Sequence, residues 1–396
     1  MKKILILNGS HSEIPLIKAA KEMGLFVLTS GNNPELSGHK LSDKYINADY
    51  SDCEKILELA KQEEIDYICS SANDFGIITA SYVAEKLGLG GHDSYETTLR
   101  LHHKDQFKEM VNQYDLLSAK GRKFKNKDEA IEYASSLDYP VMIKPVDLTG
   151  GKGVTKATTK EEKIEGINKA FDMGRDKTIV IEQFIEGTYH SMDTYIVNKK
   201  VVSIYSDNEY AHYNPFYCAI SGGPADDFEL VKEDLVKEFE KVANILNLVD
   251  GKLHCQYIMT KDHKPYVIEF SRRLSGDMYG IPVKRAVGID DAKLTIMSEC
   301  GMDISKEVFI KEQKKNTGRY IMQAPHNGTV TDVLVNPEFE KHIYDKYEWW
   351  QSGFEINDYY KDKLGVIFYE FEDREEMIKS INNIDRLITF KYKEGD

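Results

Sequence analysis

The stretch Tyr139 to Val154, YPVMIKPVDLTGGKGV, places a lysine and three glycines where a phosphate chain could be held. Lys144 lies inside a short apolar run, and Gly150, Gly151 and Gly153 follow it in a polar loop. A strand carrying a cation, next to a flexible ring of backbone N–H groups, supplies the parts needed to hold a polyphosphate. The competing reading is a strand that ends in a glycine hairpin turn, because short glycine patterns recur without any ligand.

A second group lies in residues 254 to 271, where HCQYIMT and KPYVIEFS flank a turn at Lys261 to Lys264 and read as a β-hairpin. That pairing sets Gln256 opposite Glu269 and His254 opposite Ser271, with facing Cβ atoms about 4.5 to 5.5 Å apart. Alternation puts Val267, Glu269 and Ser271 on one side of their strand. Two or three oxygen ligands on one face of such a hairpin can hold a hard cation such as Mg²⁺, which keeps some waters and takes other ligands from phosphate. Cys255 points to the opposite face and reads as a packed thiol. No Ser/His/Asp or Cys/His arrangement suggests a covalent nucleophile, and His102, His103, His212 and His254 read as structural or exposed.

These residues need elements to carry them. Residues 3 to 8 form an apolar run ending at Gly9, followed by a helical pattern that stops at Gly24. Strands at Phe26 to Thr29 and Tyr67 to Ser70, with helices at about Asp52 to Gln62 and Phe75 to Leu87, continue an alternation that argues for a parallel sheet with crossover helices. The first turn, NGSHSE, lacks the GxGxxG pattern, so no dinucleotide site is expected. A helix over KDQFKEMVNQYDLL and a strand near Arg122 to Lys125 come next. Asn126 with Glu129 opens a helix that must end before Tyr139-Pro140, and Thr159 with Glu162 opens another running to about Met173. The block from about 118 to 185 has the size and mixed pattern of a lid that closes on a nucleotide.

Strands are expected at Thr178 to Glu182 and around Ser191 to Val197. Residues 206 to 228 show no period and read as a long loop, a candidate wall for a substrate. The helix Glu229 to Leu248 carries Leu235, Phe239, Val242 and Leu246 on one core face. Strand-like runs at Tyr320 to Gln323, Val366 to Phe371 and Leu387 to Tyr392, with a capped helix from Asp373, form the tail. Trp349 and Trp350 read as packing residues.

Composition narrows the function. Lys and Arg number 52 against 66 Asp and Glu, a net charge of -14 that argues against nucleic acid or an anionic membrane as partner. The five cysteines are scattered without CxxC spacing, which supports neither a disulfide framework nor a zinc cluster. The N-terminal apolar run is too short for a signal peptide, and a soluble cytoplasmic protein is expected. A chain of 396 residues divides into several domains.

Taken in order, Lys104 in HHKDQFKEM, Lys144 with its glycine loop, EQFIEG at 182 to 187, and the hairpin ending in EFSRRLSGD at 269 to 277 resemble the ATP-grasp superfamily over nearly the whole chain. The closest likeness is to its carboxylate-amine ligase and carbamoyl-phosphate-synthase-like branches. The resemblance implies an α/β and α+β multidomain fold: a parallel-sheet domain at 1–100, a lid with its leading helix at 101–185, a catalytic core at 186–310 and a C-terminal α+β domain at 311–396. It implies that Lys104 and Lys144 neutralise ATP phosphates under Gly150, Gly151, Lys152, Gly153 and Val154. Glu182, Gln183, Phe184 and Ile185 would receive the adenine, Gln256, Glu269 and Ser271 would bind Mg²⁺, with two ions expected, and Arg273 would act on the γ-phosphate. Lys144, Glu269 and Arg273 are thus the expected catalytic set, acting on a small carboxylate and an amine in a homodimer.

The chain departs from the family in carrying Gln256 where Glu is common, Ser271 where Asn is common, and Tyr189 where an acidic ribose contact is common. Glu186 is the candidate stand-in for that contact. The implied activity is ADP-forming ligation through an acyl phosphate. The alternatives are activation of bicarbonate or formate, phosphorylation of a small acceptor, or nucleotide binding without catalysis.

Overall fold

The computed structural model describes residues 1–148 and 151–393. Near the N-terminus, strands Lys44–Asn47, Phe26–Gly31, Lys3–Leu7 and Tyr67–Cys69 form a parallel sheet in that spatial order. Ile4, Leu5, Ile6 and Leu7 are all fully buried, as expected for a parallel strand covered on both faces by helices. The edge strand Lys44–Asn47 escapes sequence reading because KYIN is exposed or half-buried along its length and has no apolar run. The helix Tyr95–His102 was likewise not anticipated, since it buries only Thr98 and Leu101. In the first turn Ser10 and Glu13 form a capping box, and the His39 ring fills the space over Gly9, where an added Cβ would lie 2.3 Å from its Nδ1.

A small antiparallel sheet follows, ordered Gly121–Phe124, Ile179–Gln183, Val141–Pro145 and Thr155–Ala157. Helices Lys127–Ser135 and Lys160–Met173 cover one face, joining Ala130, Ala134, Ile167 and Phe171 to Val141, Ile143, Ile179 and Ile181. Strand alternation turns Met142 and Lys144 out of that core. The alternation aims the lysine into a cleft.

The third sheet has eight strands, ordered Pro265–Ser271, Gly251–Met259, Thr188–Val197, Lys200–Ala211, Cys218–Gly223, Asn316–Met322, Gly365–Phe371 and Ile343–Glu348. Helix Phe228–Ile245 packs on one face against Met192, Ile204, Cys255, Tyr257 and Phe270. The long loop expected at 206 to 228 is corrected: residues 206–211 finish the strand Lys200–Ala211, and Cys218–Gly223 is a strand of its own. The hydrophobic period is missing there because Ser206, Asp207, Asn208 and Ser221 are buried polar residues. A second correction concerns the hairpin. His254 pairs with Ser271, Cys255 with Phe270 and Gln256 with Glu269, but the register slips by one before Tyr257–Val267. The bulge turns Val267 into the core beside Phe270, leaving Glu269 and Ser271 without it on their face.

Strand pairing crosses from Cys218–Gly223 to Asn316–Met322 without a break. A three-stranded sheet, Phe354–Ile356, Gly328–Val335 and Ile388–Tyr392, and the helix Arg374–Ile381 complete the C-terminal part. Among the described residues, no helix is long and apolar enough to cross a membrane.

Candidate active site

Between the small sheet and the end of the hairpin lies a cleft of about 480 Å³, lined among others by Lys104, Lys144, Glu182 and Glu269, with Asp74 and His102 at its N-terminal side. Lys104 opens the helix Lys104–Tyr114 and its Nζ donates to the Leu148 carbonyl at 2.6 Å. One helical turn later, on the same face, Lys108 is 6% exposed and places its Nζ 2.7 Å from Glu182 Oε2. Lys144 reaches Glu182 Oε1 from the neighbouring strand. Burial pushes the Glu182 carboxyl up, but Lys108 and Lys144 outweigh it and hold it down at about 2. A carboxylate between two ammonium groups is therefore the structural anchor of the cleft.

The strand carrying Glu182 ends at Gln183, whose N–H donates to the Lys120 carbonyl at 3.2 Å. The N–H of Phe184 donates to the Pro140 carbonyl at 3.0 Å. Ile185 is buried, and the Phe184 ring has the Lys156 ammonium 3.8 Å from its centroid. Gly150 lies outside the described residues. Gly151 has φ +72°, and an added Cβ would stand 2.2 Å from Phe216 Cβ, so only glycine fits this approach to the Asn214–Tyr217 turn. Gly153 has φ +73° and packs on Pro145, Val154 N–H closes back on the Gly151 carbonyl at 3.2 Å, and Lys152 is exposed.

Arg273, just past the hairpin, is aimed by Asp74, which accepts from its Nε at 2.9 Å. His102 Nδ1 contacts the same oxygen at 3.1 Å, with its side chain 1% exposed. Burial opposes the charge on Asp74, yet Arg273 and His102 hold its carboxyl well below the usual range. His102, read from sequence as structural or exposed, is a buried member of the site. Asp74 and Lys108 went unnoticed. The spacing Lys104 to Lys108 on one helix was the available signal for Lys108.

On the open face of the eight-stranded sheet, Glu269, Gln256, Ser191 and Asp207 stand side by side across four strands, with Glu209 one step along. Gln256 Nε2 contacts Glu209 Oε2. Burial and the nearby Asp207 push the Glu209 carboxyl up to about 8, against the pull of Gln256. A cation beside it would favour its ionised form. Ser271 Oγ is buried and has no hydrogen-bond partner among the described residues. Glu269, the Gln256 amide and this idle hydroxyl fit a hard cation such as Mg²⁺. No three His, Cys, Asp or Glu side chains among the described residues gather into a metal site of their own, so phosphate or water would complete the shell.

Farther along the same face, Arg319 is 6% exposed and donates through Nη1 to the Asp277 carbonyl at 2.6 Å. Asp277, at φ +52°, receives Tyr217 Oη at 2.5 Å, Lys363 Nζ at 2.9 Å and His11 at 2.9 Å. Three separate parts of the chain meet on this one carboxylate, which Lys363, His11 and Arg319 hold well below its usual range against the effect of burial. His11 also stacks on Trp349 at 4.3 Å, so that tryptophan packs, as expected.

Residues 102–278 match the profile of the phosphoribosylglycinamide synthetase ATP-grasp (A) domain. The C-terminal section of the carbamoyl phosphate synthase large chain from Methanocaldococcus jannaschii is 28% identical over 333 residues, 78% of this chain and 53% of that relative. The chain thus spans about half the length of that curated relative. A phosphoribosylamine–glycine ligase from Methanosphaera stadtmanae is 24% identical over 367 residues, covering 86% of this chain and 82% of the relative. The crystal structure of an L-amino acid ligase from Bacillus licheniformis superposes with a TM-score of 0.83 at 19% identity, covering 100% of this chain and 99% of that one. Residues 102–278, which carry all of the cleft lining except Asp74 and Leu101, thus match an ATP-grasp domain, and the mixed multidomain fold is shared with the L-amino acid ligase.

Proposed function

We propose that the chain is an ADP-forming ligase that joins a small carboxylate to an amine through an acyl phosphate. The observation that carries this reading is the convergence of Lys104, Lys144, Glu182 and Glu269 on one cleft, from four distant points of the chain. The chain supplies positioning and charge in place of a covalent nucleophile. Lys104 and Lys144 bind the phosphates of ATP as point charges, Lys144 exchanging Glu182 for phosphate oxygen while Lys108 keeps the carboxylate paired. The adenine edge is read past the end of the strand, by the Gln183 carbonyl and the Ile185 N–H, since the Gln183 N–H is already bonded to Lys120.

Glu269, Gln256 and Ser271 would hold Mg²⁺, two ions in this reading, which neutralises charge on the phosphates when bound. Arg273, fixed by Asp74, stabilises the charge that develops at the γ-phosphate. A carboxylate oxygen of the acid attacks the γ-phosphorus and the bond to ADP breaks. The amine nitrogen then attacks the acyl carbon, phosphate leaves, and the amine proton passes to solvent or phosphate. Segments 1–100, 101–185, 186–310 and 311–396 serve in this reading as N-terminal domain, lid, core and C-terminal domain of a homodimer, whose assembly light scattering would check.

The test is to incubate the purified protein with ATP, Mg²⁺ and panels of acids and amines. ADP and phosphate released only when acid and amine are both present support the proposal. AMP and pyrophosphate would refute it. A stable phosphorylated product without amine, or nucleotide binding without turnover, would shift the reading to phosphorylation or to sensing.

A further inference from the structure

We infer that Glu209 is a positioning residue for the cation: it fixes the direction of the Gln256 amide and supplies the negative charge which a glutamate at 256 would have carried. This inference rests on the Mg-ATP reading above. Gln256 sits on the strand Gly251–Met259, with Glu269 on the strand to one side and Glu209 two strands away on the other. Its Nε2 contacts a Glu209 carboxylate oxygen. With a cation beside it Glu209 is ionised, and an ionised carboxylate only accepts hydrogen bonds, so in the cation-bound site the amide must present its NH₂ to Glu209. The two ends of an amide lie on opposite sides of its carbon. Committing Nε2 to Glu209 therefore turns Oε1 toward the side of Glu269, the end a cation can use.

Without Glu209 the amide is free to rotate, and half its orientations would aim two N–H donors at the metal. A glutamate at 256 would need no such partner, because both of its ends are oxygens. The independent sign of a ligand site is Ser271 Oγ. It is 5% exposed, lacks a partner among the described residues, and shares the Glu269 face of its strand.

The test is Mn²⁺ binding measured by electron paramagnetic resonance, with ADP present and no turnover, on the full chain. Glu209→Leu is expected to weaken Mn²⁺ binding by about 10- to 100-fold, the range for an outer-shell ligand partner. The double variant Glu209→Leu with Gln256→Glu is expected to regain wild-type affinity, since a symmetric carboxylate needs no orienting partner. Glu209→Gln carries the test if Glu209→Leu does not fold, with a smaller loss in the same direction. Equal affinity in wild type and Glu209→Leu, or a double variant that stays weak, overturns the inference and leaves the ligase reading standing. If the wild type itself binds no Mn²⁺ with ADP, both fall.

Discussion

Lys108 and Lys144 share one carboxylate, and their removal should have different consequences. Glu182 is 5% exposed, Lys108 6% and Lys144 15%. Lys108 is tied further by bonds to Ser118 Oγ and the Ala119 carbonyl, each 2.9 Å. Replacing it with methionine keeps the volume, but strips a buried carboxylate of one partner and leaves two polar groups unpaired. Breaking a buried pair in this way costs about 3 to 5 kcal/mol. With Lys144 still in contact, the lower end, about 3 kcal/mol, is expected for Lys108→Met.

Lys144→Met leaves Glu182 paired with Lys108, so its stability loss should be about 1 kcal/mol. Its effect on ATP should be larger, since a charged hydrogen bond to phosphate is worth about 1.5 to 3 kcal/mol, or roughly 10- to 100-fold in Kd. The assay is urea unfolding of both variants, together with calorimetric titration of Mg-ATP. Lys144→Met binding ATP as tightly as wild type would refute the phosphate role. Lys144→Met proving less stable than Lys108→Met would refute the division of labour.

Other outcomes follow from the same geometry. Because folding holds Glu182 at about 2 against an ordinary value of 4.5, the stability it contributes is present above pH 4.5 and drains away as pH falls toward 2. Glu182→Gln should thus be markedly less stable than wild type at pH 7 and nearly equal to it near pH 2, as read by thermal unfolding across pH. Gly151→Ala, which meets Phe216 and a positive φ, should weaken ATP binding and raise ATP hydrolysis relative to ligation, measured by ADP release with and without amine. Asp74→Asn should lower kcat by roughly one to two orders of magnitude through misplacement of Arg273, with KM for ATP little changed in steady-state kinetics.

Much of this was legible in the chain because apolar pattern and position agreed. KILIL announces a doubly covered strand, Val141 and Ile143 point inward so Lys144 must point away, and the hairpin register brings Gln256 to Glu269. Where the buried face is polar the period vanishes. Asp207 and Glu209 were therefore lost in an apparent loop, although they stand beside the hairpin carboxylate. Val267 was misplaced because a one-residue bulge leaves no mark in the alternation. Glu182 was legible as a site position, but not its pairing with Lys108 and Lys144, which depends on the helix after Lys104 packing against the small sheet.

The uninterrupted pairing of Cys218–Gly223 with Asn316–Met322 has a consequence for dissecting the chain. A fragment stopped near residue 310 would keep every residue of the cleft, yet expose the backbone of Cys218–Gly223 as a raw edge, four paired positions long. Such an edge recruits other strands. Expressed alone, the ATP-grasp segment should aggregate, and supplying residues 311–396 as a separate polypeptide should rescue its solubility by strand complementation.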